Sequence, residues 1–230
     1  MQTREHTHAY SEIKEIIIAD AVLIFAFTFT LTGGIFSPTK YFLSSFLYDL
    51  PIVAIGVTLS FVLHELMHKF IAQRYGAIAG FKTSQNGLII TLATGLMGFL
   101  LGIPGATMIY TNNFTKKENG IVSIAGPLTN LAIFLGAFIL TIILAPAQSS
   151  YIYSILSFTI FISVFLAFFN MLPIFPLDGS KVLAWNKSYY LVTMGIIFVL
   201  MIIFTGIPII TIIFMIFIAL MLSMFYRNII

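Results

Sequence analysis

What most limits the folds open to this chain is a series of apolar runs, each about as long as a bilayer core is thick. They lie at Ile16–Phe36, Leu50–Ala72, Ile121–Ala145, Tyr151–Leu172, Tyr189–Thr205 and Ile207–Phe225. About 20 helical residues cross a hydrocarbon core. Pro38, Pro51, Pro146, Pro173 and Pro208 stand at or near the ends of the runs, where a helix tolerates proline best. Of the 230 residues, 60% are apolar and 8% charged, against roughly 25% charged in water-soluble domains. The expected class is an all-α multi-pass membrane protein with about six transmembrane helices.

One further stretch is ambiguous. Leu88–Tyr110 is apolar enough to span, yet Gly95, Gly98, Gly102, Pro104 and Gly105 interrupt it, and β-branched Ile89, Ile90 and Thr91 cluster in its first part. Charge decides how it runs. If it returns to the side it left, one face holds Arg4, Lys14, Lys69, Arg74, Lys82, Lys116, Lys117, Lys181, Lys187 and Arg227, and the other keeps only Lys40. If it spans, the split becomes five against six. The positive-inside rule favours the first arrangement, with both termini cytoplasmic and the chain in the cell membrane. Non-helical backbone at membrane depth is allowed only where protein or a wet cavity shields it. Residues 80–110 are therefore expected to form a small re-entrant, partly extended β element packed against a site.

The remaining composition narrows the chemistry. Cysteine is absent, so disulfides and thiolate ligands are excluded, and any metal must be held by His, Asp or Glu. The net charge is +3, with no basic cluster interleaved by aromatics, so no nucleic-acid partner is expected. The segment Met1–Glu15 reads as a flexible polar tail, and His6-Thr7-His8 as part of that tail rather than a metal site. The apolar run that follows is too long for a signal peptide and lacks a small-residue cleavage site.

Within the second run lies His64-Glu65-Leu66-Met67-His68. Residues four apart share a helix face, so both imidazoles can reach one ion. Glu65, beside the first ligand, is placed to take a proton from water at that ion. Ionisable groups inside membrane helices are costly and mark functional sites. Catalytic zinc usually takes three protein ligands, and the other acidic residues are Glu5, Glu12, Glu15, Asp20, Asp49, Glu118 and Asp178. Asp178 reaches the histidines' end of the bundle only if 88–110 re-enters; otherwise it lies roughly 30 Å away across the bilayer. It follows Pro173 and Pro176, which stop a helix, and precedes Gly179, which permits a tight turn. Asn130 lies level with the histidines in the third run, where a buried amide needs partners. It either bonds substrate backbone or joins helix to helix, with Gly126 allowing close approach.

These motifs together, H-E-x-x-H at His64–His68 and N-x-x-P-x-x-P-L-D-G at Asn170–Gly179, resemble the site-2 protease family of intramembrane zinc metalloproteases. A G-x-x-x-N common in that family is matched by Gly126-Pro127-Leu128-Thr129-Asn130. The resemblance implies Zn2+ held by His64, His68 and Asp178, with Glu65 as catalytic base. It further implies that Asn170 positions substrate or stabilises the oxyanion, and that a β element lies beside the substrate path. The implied partners are a transmembrane protein substrate and the lipid bilayer. The implied organisation is a polar tail (1–15), an accessory first helix and loop (16–49), a catalytic core (50–185) and an accessory C-terminal hairpin (186–230). Two other readings compete. A proton-coupled transporter would use the same ionisable groups as a relay, although no internal repeat supports one. A non-cleaving scaffold of the same fold would have no need of Glu65.

Overall fold

The structure, a computed structural model, describes residues 2–36, 40–98, 100, 102, 104–111, 114–207, 210, 211, 213, 216, 217 and 221, with side chains from residue 11 onward. Helix α1 (Gln2–Leu31) is followed by α2 (Phe42–Val57), which continues through a π-helical turn (Thr58–Val62) into α3 (Leu63–Arg74). Strand β1 (Ile78–Thr83), helix α4 (Gln85–Leu96) and strand β2 (Gly105–Tyr110) come next. The long helices α5 (Lys116–Leu144) and α6 (Tyr151–Asn170), the short α7 (Asp178–Trp185) and α8 (Lys187–Phe204) follow, and a short 3-10 turn (Gly34–Phe36) lies between α1 and α2. Five helical stretches are long and apolar enough to cross a membrane: Ser11–Phe36, Phe42–Arg74, Lys116–Leu144, Tyr151–Asn170 and Lys187–Phe204. The sixth expected span, 207–225, falls largely outside the described residues.

The ambiguous stretch does re-enter. β1 and β2 pair antiparallel with Thr83 opposite Gly105 and Ile78 opposite Tyr110, so the chain leaves and returns at one place. Its first part is not extended, however: Ile89, Ile90 and Thr91 lie in helix α4. Ser84 starts that helix by accepting the Gly87 N–H, and the Thr91 hydroxyl bonds back to the Gly87 carbonyl. A helix satisfies its own backbone, and where neighbouring strands are lacking that outweighs β propensity. The element is thus strand–helix–strand rather than a plain hairpin.

Two other expectations need correction. Helix α1 extends back through the polar segment, so that segment is not a loose tail. Pro51 sits inside α2 rather than at its end, because the helix begins at Phe42.

Besides a small cluster of Ala72, Ala77, Ala79 and Val122 joining α3, β1 and α5, packing divides into two larger cores. One joins α5, α6, α7 and α8 around Phe168, Met171, Leu172, Val182, Ile197 and Met201. The other joins α1, α2 and α6 around Leu23, Phe27, Val53, Val57 and Ile162. Between them, Ser60 of the π turn hydrogen-bonds Ser163 of α6 at 2.8 Å, and Thr58 donates to Asp20 of α1 at 2.7 Å. The extra residue of a π turn rotates everything after it by about 100° around the helix axis. That rotation sets which face of α3 looks inward.

Candidate metal centre

His64 and His68 stand on the inward face of α3, and Asp178 opens α7 beside them. The short α7 owes its start to the segment before it. The α6 helix ends at Asn170, Pro173 and Pro176 prevent its continuation, and Met171, Leu172, Ile174 and Leu177 are buried as anchors. Gly179 is needed here for closeness rather than for a turn, because a Cβ on it would collide with the Met171 carbonyl. The chain is thereby drawn tightly enough to turn Asp178 back toward α3.

Three ligand atoms converge. His68 Nε2 lies 3.0 Å from Asp178 Oδ2, His64 Nε2 lies 3.4 Å from it, and the two Nε2 atoms are 3.0 Å apart. All three residues are buried, at 3%, 6% and 8% exposure for His64, His68 and Asp178. Zinc bound tetrahedrally at about 2.0–2.2 Å sets its ligand atoms roughly 3.4 Å apart. The observed triangle has that size to within a few tenths of an ångström, so the residues fit the ion. Helix α5 supplies the opposite wall. A Cβ on Gly126 would come within 2.5 Å of both Nε2 atoms, so glycine there keeps the ligand atoms clear.

The surroundings set tautomer and charge. His68 Nδ1 is 2.8 Å from the Val122 carbonyl of α5, which can only accept, so Nδ1 carries the proton and Nε2 presents its lone pair inward. Lys181, one turn along α7, holds the other Asp178 oxygen, Oδ1, at 3.6 Å. Burial alone would push the Asp178 carboxyl up. With no ion between them, a protonated His68, the hydrogen bonds that His64 and His68 donate and the Lys181 ammonium outweigh that and hold it well below the usual carboxylate range; His68 gives up its Nε2 proton when a metal takes that place.

The other sequence-predicted residues are placed less uniformly. Glu65 leaves the ligand cluster and bonds Thr107 of β2, whose N–H and hydroxyl lie 2.9 and 2.8 Å from Oε2. Asn130 is wholly buried, and among the described residues neither its amide nitrogen nor its oxygen has a partner. It follows Gly126 by one turn, on the same face of α5. Asn170 donates to its own helix at the Leu166 carbonyl, 3.0 Å away, and no hydrogen bond joins it to the three ligands. Sequence reasoning missed Val122, which acts through its backbone carbonyl, and Thr107, whose N–H and hydroxyl find Glu65 only through the fold. It also missed Glu12 and Glu15 of α1, which accept the Phe81 and Thr83 N–H groups of β1.

Residues 81–189 match Peptidase family M50. Over 178 residues the chain is 38% identical to MJ0611 of Methanocaldococcus jannaschii, covering 77% of this chain and 86% of that one. It is 30% identical over 155 residues to YwhC of Bacillus subtilis, covering 58% and 68%, and 29% identical over 143 residues to Rip2 of Mycobacterium tuberculosis, covering 57% and 55%. All three are provisionally named zinc metalloproteases. No solved structure matches the chain. The chain belongs to peptidase family M50, the site-2 protease family, and is a membrane metalloprotease whose metal is zinc.

Proposed function

We propose that this metalloprotease hydrolyses peptide bonds in or near the transmembrane segments of other proteins. The observation that carries the reading is the meeting of His64, His68 and Asp178 on helices that lie within or beside spans long enough to cross a bilayer. These three residues hold the zinc, which when bound polarises the scissile carbonyl and acidifies water at the site. Glu65 takes the proton of the attacking water and delivers it to the leaving amine. Asn130, buried without partners, bonds the substrate backbone. Asn170 stabilises the oxyanion after giving up its bond to Leu166.

A membrane helix hides its carbonyls in its own hydrogen bonds, so a substrate must unwind before it is cut. The unwound stretch pairs with β2 by strand addition. In an antiparallel ladder every second residue turns its N–H outward. On β1 the outward groups of Phe81 and Thr83 are taken by Glu12 and Glu15; on β2 Glu65 takes that of Thr107, and Ile109, two residues on, turns its N–H the same way and offers the edge to substrate. An apolar groove of about 430 Å³, lined by Leu63, Leu66, Met67, Phe70 and Thr129 along α3 and α5, supports approach from the lipid side. The basic face, with the site end and both termini, is cytoplasmic in a cell membrane. Residues 50–185 form the catalytic core, with 16–49 and 186–230 as accessory spans.

The test is cleavage of a reporter transmembrane segment by purified chain in liposomes, beside its zinc content. Glu65→Gln should keep its zinc and lose cleavage by at least about a hundredfold. Wild-type turnover in that variant would end the reading.

A further inference from the structure

The proposed base meets the re-entrant element at a single residue. Glu65 Oε2 accepts both the Thr107 N–H, at 2.9 Å, and the Thr107 hydroxyl, at 2.8 Å. That hydroxyl also lies 3.0 Å from the Glu65 backbone carbonyl, so either acceptor for its one proton belongs to the same residue. Among the described residues no other hydrogen bond reaches the carboxylate, which leaves Oε1 untethered. Strand register explains why the contact falls here. Thr107 stands opposite Phe81, and the Phe81 N–H points away from β2 to Glu12. The pair is therefore one whose N–H groups both face outward, and that of Thr107 is aimed at α3.

We infer that Thr107 is the positioning residue of Glu65: it pins one carboxylate oxygen so that the other stays turned to the reacting water. The inference rests on Glu65 being the base. A free glutamate on a helix surface samples several rotamers, and only some of them bring an oxygen to the reacting proton. Two donors fixed on a strand remove that freedom. Misplacing a reacting group by about 1 Å can cost on the order of a hundredfold in rate. Thr107 touches neither ligand cluster nor reacting atoms itself, so its whole effect passes through Glu65.

Three chains decide the matter, each loaded with zinc in liposomes and given the same reporter segment: wild type, Thr107→Val and Thr107→Ser. Valine keeps the branched shape and the N–H but lacks the hydroxyl. Its kcat should fall by about ten- to a hundredfold, with KM and zinc content unchanged, and serine should restore the rate. Undiminished kcat in the valine variant overturns the inference. So does a loss carried by KM, or one that serine fails to rescue, since either assigns the effect to packing of β2. Glu65→Gln run in parallel separates the two readings. If it turns over like wild type, the base itself is misassigned; if it is dead while Thr107→Val is fully active, only the positioning role fails.

Discussion

A single hydrogen atom on Gly126 bears on the metal site as much as a ligand does. Any larger side chain there would bring a carbon within 2.5 Å of both His64 Nε2 and His68 Nε2. The imidazoles cannot retreat freely, because Val122 holds His68 through Nδ1. Gly126→Ala should therefore lower zinc affinity by about ten- to a hundredfold, measured by competition with a chelator, while circular dichroism shows unchanged helix. Retention of wild-type affinity would show that α3 gives way and that Gly126 serves packing alone. At this scale the sequence was legible wherever a residue type announces its chemistry. Four-residue spacing put His64 and His68 on one face, and the P-x-x-P-L-D-G run marked Asp178. Gly126 could be read as a helix-packing residue and as the first residue of a G-x-x-x-N, but not as the wall of the metal site, since which helix it faces is a tertiary fact. Val122 contributes a carbonyl, which every residue type has, and Thr107 adds to its N–H a hydroxyl that nothing in the sequence ties to Glu65.

Elements are where the sequence misled most. The cluster Ile89-Ile90-Thr91 reads as strand by propensity, yet it is helix, because a single excursion into the bilayer has no neighbours to pair with. The true strands lie on either side of it, and Glu12 and Glu15 close the outer edge of one of them in place of a further strand. Those two glutamates belong to a polar segment that charge alone marks as solvated. Lys69 fixes the arrangement, meeting Glu12 at 2.6 Å in a half-buried ion pair that ties α1 to α3. With β1 closed at Phe81 and Thr83, and Glu65 on the Thr107 N–H of β2, substrate pairing falls to β2 beyond Thr107. Ile109 lies opposite Ala79, so its N–H faces outward as that of Thr107 does. Ile109→Pro should raise KM for a reporter segment by about five- to tenfold, the worth of one backbone hydrogen bond, and leave zinc content intact. Ile109→Ala, which keeps the N–H, should behave as wild type. If alanine is as impaired as proline, the side chain and not the strand edge is what matters.

For the whole molecule, two independent requirements impose one topology. The ligands must meet, and positive charge must gather on one face. Both demand that 84–104 leave and return on the same side, and the pairing of Thr83 with Gly105 closes that path. Following the described spans in order places the turn after α1 and the loop between α5 and α6 on one face. The β element and the segment leading to Asp178 lie on the other. Lys40 is on the first face; Lys82, Lys116, Lys117, Lys181 and Lys187 are on the second. This asymmetry was readable because charge placement is a property of loops, which sequence marks well; the depth and tilt of each helix are set by packing and were not. The absence of cysteine makes the topology directly measurable. Single cysteines at Gln148, in the α5–α6 loop, and at Asn119 and Lys187, near the ends of α5 and α8, can be labelled in intact cells with a membrane-impermeant maleimide. Gln148→Cys should react from outside, and Asn119→Cys and Lys187→Cys only after the membrane is opened. Reaction of Gln148→Cys and Lys187→Cys from the same side would place Asp178 across the bilayer from its histidines, and no arrangement of side chains could then assemble the site.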